Sequence, residues 1–485
     1  MIAGGLRKQI HSSWLIAWLC GGIVIGVIAA GSLGGRATLS VAWLLSGILL
    51  ASLGFIRRQV WVISLMICAG VVIGLWRGVY SQQETEPIVK AVGTTVTISG
   101  IVKEDVDKGD RGQLIIRLGK LRVGEQESGG SIWVKTESKT DIHRSDEVIV
   151  KGVLTEGFGS FTASMRHATI RHVKRPVPGD VALRVRDAFA VGVERAISEP
   201  ESSLGLGYLV GQRRGLPDDL DAALVAAGLT HIVVASGYNL TILVRLARRF
   251  FERVSKYLSF LSASAMIIGF ISITGMSPSM SRAGLVAGLS LLAWYYGRRF
   301  HPLVLLPFAM AVTVLVQPSY AWGDLGWQLS FAAFAGVMIC APLIQAYFFG
   351  DRPERTLRRI FIETVSAQLL TLPILLLSFG SFSLVSPVAN LLILPLVPFA
   401  MLLTFIAGLT GLFIPSVATI VGTPAEWVLI YMTSVASFSG NLSWATQDMP
   451  ITWAAFGALY LAIVVMMVYM RHATKLRLDR TSLVE

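Results

Sequence analysis

The chain has 485 residues, of which 53% are hydrophobic and only 15% are charged, with a mean hydropathy of +0.64. This composition excludes a soluble globular enzyme, whose surface carries a larger share of charged side chains. The net charge of +12 and the isoelectric point near 9.8 also raise the possibility of a nucleic-acid partner.

The apolar runs predict a polytopic α-helical membrane protein. A span needs about 20 apolar residues, and about a dozen runs approach that length. The first three lie at 14–33, 38–56 and 59–76. After a polar gap, further runs lie at 231–249, 257–275, 281–297, 302–318, 325–347, 360–378, 385–413, 424–440 and 451–470.

The basic residues collect at alternate ends of these runs, which predicts the topology. Nineteen Lys and Arg residues lie there with five acidic residues, so topology alone accounts for the net charge. Because cytoplasmic loops retain positive charge, we expect both termini in the cytoplasm. The polar stretch from Arg77 to about residue 200 is then expected on the outer face of the inner membrane.

The stretch at residues 93–175 changes to a period of two, which predicts an inserted extracytoplasmic β domain. Its strand-like runs are TTVTISGIVKEDV, QLIIRLGKLRV, SIWVKTE, DEVIVKGVL and ASMRHATIRHV. Five short strands in about 80 residues are typical of an OB-like β-barrel. Between residues 80 and 176, 15 basic residues face 13 acidic ones, and aromatic residues are few: Trp133, Phe158 and Phe161. A structural or docking role is therefore at least as well supported as binding of a nucleic-acid strand.

The predicted organisation has five parts. They are three transmembrane helices at 1–78, the outer OB-like domain at 79–176, an interfacial amphipathic helix at 177–200, a transmembrane domain with broken helices at 201–470, and a basic cytoplasmic tail at 471–485.

Polar residues of the second membrane region form four clusters, each beside a Gly or Pro that can break a helix. The clusters are His231, Ser236 and Asn239 beside Gly228 and Gly237; Ser277, Ser279 and Arg282 beside Pro278; Asp324, Gln328 and Ser330 beside Gly326; and Ser386 and Asn390 beside Pro387. Polar side chains are costly in lipid, and broken helices are tolerated where they line a cavity. We therefore expect a polar path, in which Arg282 and Asp324 could pair. The alternative is that small polar residues join helices without any transport role.

Four sequence blocks of this region resemble the competence domain of the ComEC family. They are LGYLVGQRRGLPDDLDAALVAAGLTHIVVASGYNLTIL (207–243), GMSPSMSRAGLVAGLSLLAWYYGRR (275–299), DLGWQLSFAAFAGVMI (324–339) and SPVANLLILPLVP (386–398). They occur in the family's order, after N-terminal helices and an OB-like domain. The resemblance implies an inner-membrane channel through which single-stranded DNA enters the cytoplasm during natural transformation.

The resemblance also indicates path residues by position. The family's Gly-x-x-His and Ser-Gly pattern matches GLTHIVVASG, but this chain has Asn239 where the family usually has His. The expected transport path comprises Gly228, His231, Ser236, Gly237, Asn239, Ser277, Ser279, Arg282, Asp324, Gln328, Ser330 and Asn390.

The partners follow from what the sequence lacks and what the family implies. No Gly-x-x-x-x-Gly-Lys-[Ser/Thr] loop is present, so the energy is expected from elsewhere, either from a cytoplasmic helicase-like motor or from the membrane potential acting on the phosphate charges. The seven His residues show no metal-ligand grouping, and we expect no metal and no cofactor. Many relatives carry a metallo-β-lactamase-like domain that is not expected here, which suggests a separate nuclease. A DNA receptor on the outer face is also implied, and the oligomeric state stays open.

Two other functions remain open. A membrane-embedded hydrolase would use Ser236 as a nucleophile activated by His231. The five-residue spacing and the lack of a nearby third acid in the sequence disfavour it. A transporter of another anionic cargo would use the same path. The favoured prediction is a channel without enzymatic activity.

Overall fold

The structure is a computed structural model that describes residues 11–33, 39–57, 59–109, 112–138, 140–212, 215–233, 236–275, 277–297, 301–350, 352 and 355–476. Contacts divide the chain into two compact units. The first unit is built from residues 1–181 and 304–328, and the second from residues 182–303 and 329–485.

The elements follow one another in this order. The first helices are α1 (Ser12–Leu33), α2 (Val41–Arg57) and α3 (Val62–Lys90). The strands that follow are β1 (Thr95–Val102), β2 (Asp107–Lys108), β3 (Leu114–Val123), β4 (Gln126–Thr136), β5 (Glu147–Glu156), β6 (Ala163–Met165) and β7 (Thr169–Lys174). The next helices are α4 (Val181–Ala196), α5 (Glu201–Val210), α6 (Asp218–Ala226), α7 (Thr230–Val233), α8 (Gly237–Phe251), α9 (Lys256–Thr274) and α10 (Pro278–Tyr295).

The last part of the chain is again mainly helical. It contains α11 (Pro302–Val316), α12 (Ser319–Gly323), α13 (Leu325–Ala335), a π-helical turn (Gly336–Cys340), α14 (Ala341–Phe349) and α15 (Thr356–Phe379). It continues with β8 (Ser381–Ser383), α16 (Ser386–Ile393), α17 (Val397–Phe413), a 3₁₀ turn (Pro415–Val417), α18 (Ala418–Gly440), β9 (Thr446–Asp448) and α19 (Trp453–Thr474).

Helices α1 and α3 of the first unit pack with their backbones in close contact. A Cβ added at Gly22 of α1 would collide with the carbonyl oxygen of Ile67 on α3, and one at Gly74 would collide with the carbonyl oxygen of Ile23. Small residues at four-residue spacing allow such an approach where no hydrophobic effect drives two helices together in lipid. Helix α3 is helical to Lys90, so it extends past residue 79, where the predicted outer domain begins.

The strands of the first unit form a closed barrel, which confirms the predicted OB-like β domain. The order around the barrel is β1-β3-β4-β6-β5, and β5 pairs with β1 to close it. All these pairs are antiparallel except β4 with β6, which are parallel from Ile132 opposite Ala163. Strand β2 pairs with β3, and β7 pairs with β5. The alternate residues that point inward, including Ile98, Ile116 and Val150, form the buried core.

The fifth predicted strand run forms two strands instead of one. The chain leaves the barrel after Met165 and re-enters the sheet at Thr169, with His167 at φ 56° between them. Strand β6 pairs with both β4 and β5, whereas β7 pairs with β5 alone, further along that strand. The period-two pattern of the run does not reveal this interruption between the two strands.

The second unit is a helical bundle around a large apolar core. Helix α4 packs closely on α17. The two backbones approach so closely that a Cβ added at Gly192 would collide with the carbonyl oxygen of Gly408. Val193, Leu204, Tyr208 and Leu429 are among the buried residues of this core. Helices α8, α9 and α10 enclose a second apolar cluster. The position of α4 along the membrane interface stays a prediction.

The structure places helices in all the apolar runs, but fewer of them are long enough to cross a bilayer alone. Among the described residues, 6 helices have the necessary length and apolarity, or up to 8 if each of two bent helix pairs forms one span. One pair joins α16 and α17 with a bend of 49°. The chain is therefore a multi-pass membrane protein with an OB-like barrel. The sequence predicts about a dozen spans, which is more than the 6 to 8 that helix length and apolarity support among the described residues.

Candidate polar path at the helix starts

Each predicted polar cluster lies where a helix begins. Helix α8 begins at Gly237, α10 at Pro278, α13 at Leu325 and α16 at Ser386. The first backbone N–H groups of a helix have no partner within the helix and carry a partial positive charge. At the starts of α10 and α13, the side chains of Ser277 and Asp324 each already accept a hydrogen bond from one of these donors.

The segment that begins at Gly228 approaches two of the polar clusters in the second unit. Gly228 has a φ of +69°, and a Cβ there would lie 2.8 Å from the Ser386 Oγ at the start of α16. Farther along, a Cβ at Gly237 would lie 3.3 Å from Nη2 of Arg282 on α10. The segment therefore contacts α16 at one end and α10 at the other.

His231 and Ser236 have separate partners in this segment. The ring of His231 lies near the backbone of Gly228, and the residue is exposed. The hydroxyl of Ser236 donates to Oδ1 of Asn239 at 3.3 Å. The hydrogen bonds described thus do not join the pair that a hydrolase would require.

Asn239 is fully buried and bridges two helices. Its Nδ2 donates to the carbonyl oxygen of Tyr208 on α5 at 3.0 Å, and its Oδ1 accepts from Ser236. A buried amide with both ends satisfied joins helices without any contact with solvent. The contribution of Asn239 to a transport path stays a prediction, and its contacts show a role in packing.

Arg282 lies between a helix start and two aromatic rings. Its guanidinium carbon is 5.9 Å from the ring centre of Phe331 and 5.2 Å from that of Phe334. Its Nε is buried and has no hydrogen-bond partner within the described part of the chain. Cation–π contacts stabilise an arginine only in part, and the fork of N–H groups keeps donor capacity for an anion.

Ser277 and Ser279 shape the start of the helix that carries Arg282. The Ser277 Oγ accepts from the backbone N–H of Met280 at 3.3 Å, which caps α10. The two serine hydroxyls lie 3.3 Å apart. Ser277 thus satisfies one backbone donor of α10 and fixes where the helix begins.

Asp324 occupies a different setting, in the first unit. Its Oδ1 accepts from the backbone N–H of Trp327 at 2.7 Å, and its Oδ2 accepts from Ser160 in the barrel at 3.0 Å. It caps α13 and holds a barrel loop. Gln328 and Ser330 lie one turn further along α13. Since Asp324 and Arg282 belong to different units, their pairing stays a prediction.

The start of α16 carries buried polar atoms that have no described partner. Asn390 donates to the carbonyl oxygen and the hydroxyl of Ser386, at 2.8 and 3.0 Å. Gln368 on α15 donates to the carbonyl oxygen of Ser383 at 2.8 Å. Oδ1 of Asn390, Oε1 of Gln368 and Oγ of Ser383 have no hydrogen-bond partner among the described residues. Buried acceptors of this kind are usually satisfied by water.

Several residues of the site were not predicted from the sequence. Phe331 and Phe334 lie under Arg282, and Gln368 and Ser383 complete the polar group near Gly228. The phenylalanines look like ordinary apolar residues of a span. Gln368 is a polar residue inside an apolar run, and that signal could have identified it.

The fold and these helix starts define a multi-pass α-helical membrane protein with an OB-like barrel and broken helices. A sequence profile described as "Competence protein" matches residues 208–474, which is more than half of the chain. The chain therefore belongs to the competence protein family, and the resemblance to ComEC proteins is confirmed.

Two curated relatives show partial similarity. "ComE operon protein 3" of Bacillus subtilis (strain 168) is 28% identical over 260 residues, which cover 52% of this chain and 30% of that protein. An uncharacterized protein of Aquifex aeolicus (strain VF5) is 26% identical over 250 residues, covering 50% of this chain and 54% of that protein. The chain thus aligns with only part of each relative. No solved structure matches it significantly.

Proposed function

We propose that this protein forms an inner-membrane passage for single-stranded DNA during natural transformation. Membership of the competence protein family supports this cargo. The barrel is proposed to lie on the outer face, where a DNA receptor would deliver the strand. A cytoplasmic helicase-like partner is proposed to supply the force, and a separate nuclease to degrade the other strand.

Arg282 carries the proposal. Arg282 is a partly buried cation in a membrane domain, and its buried Nε has no hydrogen-bond partner among the described residues, which is costly unless a ligand or water completes its shell. The helix start at Gly237 lies next to its Nη2, so we propose that the first N–H groups of α8 and the guanidinium act together. A phosphate of the DNA backbone would receive hydrogen bonds from both.

His231 and the group near Gly228 support an aqueous passage along the same segment. An exposed His side chain in a membrane domain is more stable next to water than next to lipid. The unpartnered oxygens of Gln368, Ser383 and Asn390 require water or a polar ligand in the same part of the unit. A transported strand would pass donors at Arg282 and hydrated acceptors near Gly228.

The proposal is tested with Arg282→Gln and Arg282→Lys in a competent bacterium that lacks its own homologous gene. Losing a charged hydrogen bond worth about 1.5–3 kcal/mol should reduce cytoplasmic entry of labelled DNA on the order of tenfold or more. Lys keeps the charge but not the planar fork, so Arg282→Lys should fall between wild type and Arg282→Gln.

The matched control is Arg471→Gln, an exposed arginine near the end of α19. It should leave uptake unchanged, and DNA bound at the cell surface should stay constant in all strains. Membrane levels of each variant are compared by immunoblot. If cells with Arg282→Gln take up labelled DNA as well as wild-type cells do, at an equal level of protein in the membrane, the proposed role of Arg282 is wrong.

A further inference from the structure

The tip of the α8–α9 hairpin carries basic and aromatic residues that the proposed DNA path does not use. The basic residues are Arg245, Arg248, Arg249, Arg253 and Lys256, and the only acidic residue among them is Glu252. Within the described part of the chain, none of the five has a carboxylate at salt-bridge distance. The tip therefore presents uncompensated positive charge.

Two of these cations are placed over the aromatic end of α10. The guanidinium carbon of Arg248 is 5.1 Å from the ring centre of Trp294, and Nζ of Lys256 is 5.8 Å from the same ring. Lys256 also lies 5.5 Å from the ring of Tyr295. The hairpin is tied together by the Ser259 hydroxyl, which donates to the carbonyl oxygen of Arg248 at 2.8 Å. These contacts give the charges a defined arrangement.

A stripe of exposed apolar residues runs through the same tip. Phe250 at the end of α8 is 75% exposed and Val254 in the turn is 73% exposed, and Leu246 on α8 and Tyr257 and Leu261 on α9 are exposed as well. Apolar residues exposed beside basic ones, with Trp and Tyr at the helix ends, are typical of a segment at the boundary between acyl chains and headgroups. The apolar stripe favours lipid over a nucleic-acid strand as the neighbour of these cations.

We infer that the α8–α9 tip, with Trp294 and Tyr295 of α10, binds the phosphate headgroup of an anionic phospholipid. Exposed arginines and Lys256 would contact the phosphate oxygens, while the apolar stripe contacts the acyl chains. Clusters of basic residues next to membrane helices attract anionic lipids with about 1 kcal/mol per charge. This inference is independent of the proposed DNA passage, because it uses neither Arg282 nor the helix starts.

The test uses the purified full chain in detergent and native mass spectrometry. Phosphatidylglycerol and phosphatidylcholine with identical acyl chains are titrated, and the affinity for the first bound lipid is compared. Wild type should prefer phosphatidylglycerol. Arg249→Gln combined with Arg253→Gln should weaken phosphatidylglycerol binding by about tenfold or more, with phosphatidylcholine unchanged.

Two matched variants control for loss of fold and for charge in general. Arg249→Lys with Arg253→Lys keeps the charge and should keep most of the preference. Arg471→Gln with Lys475→Gln removes two exposed charges at the end of α19 and should leave the preference intact.

Three results would overturn the inference. One is an unchanged lipid preference in the Arg249→Gln, Arg253→Gln variant. A second is an equal loss in the α19 variant or in the lysine variant, which would show that the tip or its charge is not the cause. The third is displacement of phosphatidylglycerol from wild type by a stoichiometric single-stranded oligothymidine, which would make nucleic acid the occupant.

Discussion

Polar residues of the second unit differ in whether the protein itself satisfies their hydrogen bonds, although they look alike in the sequence. Asn239 is buried with both ends of its amide bonded, whereas Arg282 has a buried Nε without a described partner. Both are polar residues in an apolar segment beside a glycine. The difference depends on helices that are distant in sequence: α5 supplies the hydrogen-bond acceptor for Asn239, whereas α13 offers Arg282 aromatic rings.

Asn239 should therefore be important for stability. Asn239→Leu leaves the carbonyl oxygen of Tyr208 without its donor in a buried place, which costs about 1–3 kcal/mol. The melting temperature of the purified chain in detergent should fall. Tyr238→Phe changes the exposed neighbour and should melt like wild type. Equal melting of Asn239→Leu and wild type would contradict the packing role.

Glu104 should make the stability of the barrel depend on pH. Partial burial raises the pKa of Glu104 above its ordinary value; nearby Arg117 lowers it, and the carboxylates of Asp107 and Asp324 raise it further. A raised pKa in the folded state stabilises the barrel at low pH, and this contribution is lost as the pH rises through the elevated pKa. Glu104→Gln should remove this dependence.

Hydrogen exchange of the full chain, corrected for the intrinsic pH dependence of exchange, measures this effect on β1 and β3. Protection in wild type should fall with rising pH more than in Glu104→Gln. The variant Glu125→Gln, at an exposed turn, should behave like wild type. Parallel pH profiles of wild type and Glu104→Gln would show that the carboxyl does not titrate in this way.

At the scale of elements, the Gly and Pro residues that can break a helix carried most of the predictive information. Pro278 and the Gly228 segment marked real helix interruptions, because Gly228 adopts a φ of +69° and α10 begins at Pro278. The interruption at His167, which ends the pairing of β6 with β4 while the pairing with β5 resumes in β7, could not be predicted, since pairing in a barrel depends on strands far apart in sequence. The contact of Gly228 with Ser386 was unpredictable for the same reason.

The packing of α1 on α3 provides a matched pair of neighbouring glycines. A Cβ at Gly22 meets the backbone of Ile67, whereas a Cβ at Gly21 meets nothing within 4 Å. Gly22→Ala should destabilise the chain by about 1–3 kcal/mol, because two backbones must move apart. Gly21→Ala should be neutral or stabilising by up to about 1 kcal/mol, since Ala favours a helix.

Thermal unfolding in detergent, followed by circular dichroism, compares the two variants. The melting temperature of Gly22→Ala should lie below that of wild type and that of Gly21→Ala. If both variants melt together, the close approach of α1 and α3 does not contribute to stability.

At the scale of the whole molecule, composition was sufficient to predict a membrane protein. The distribution of basic residues predicts its orientation in the membrane, which can be tested. The proposed function requires that the barrel lies outside and the end of α19 inside the cell. In a Cys68→Ser background, an impermeant maleimide should label Glu125→Cys in intact cells. It should label His472→Cys only after permeabilisation. The reverse labelling pattern would invert the proposed orientation.

In the proposed function, a DNA strand passes Arg282 and the rings beneath it. Photo-crosslinking tests this directly, with benzoylphenylalanine in place of Phe334 and, as a control, in place of Phe413, which is 74% exposed on α17. During uptake of labelled DNA by competent cells, irradiation should yield a DNA adduct at position 334 and none at position 413. Absence of an adduct at 334 during active uptake, or equal adducts at both positions, would contradict the claim.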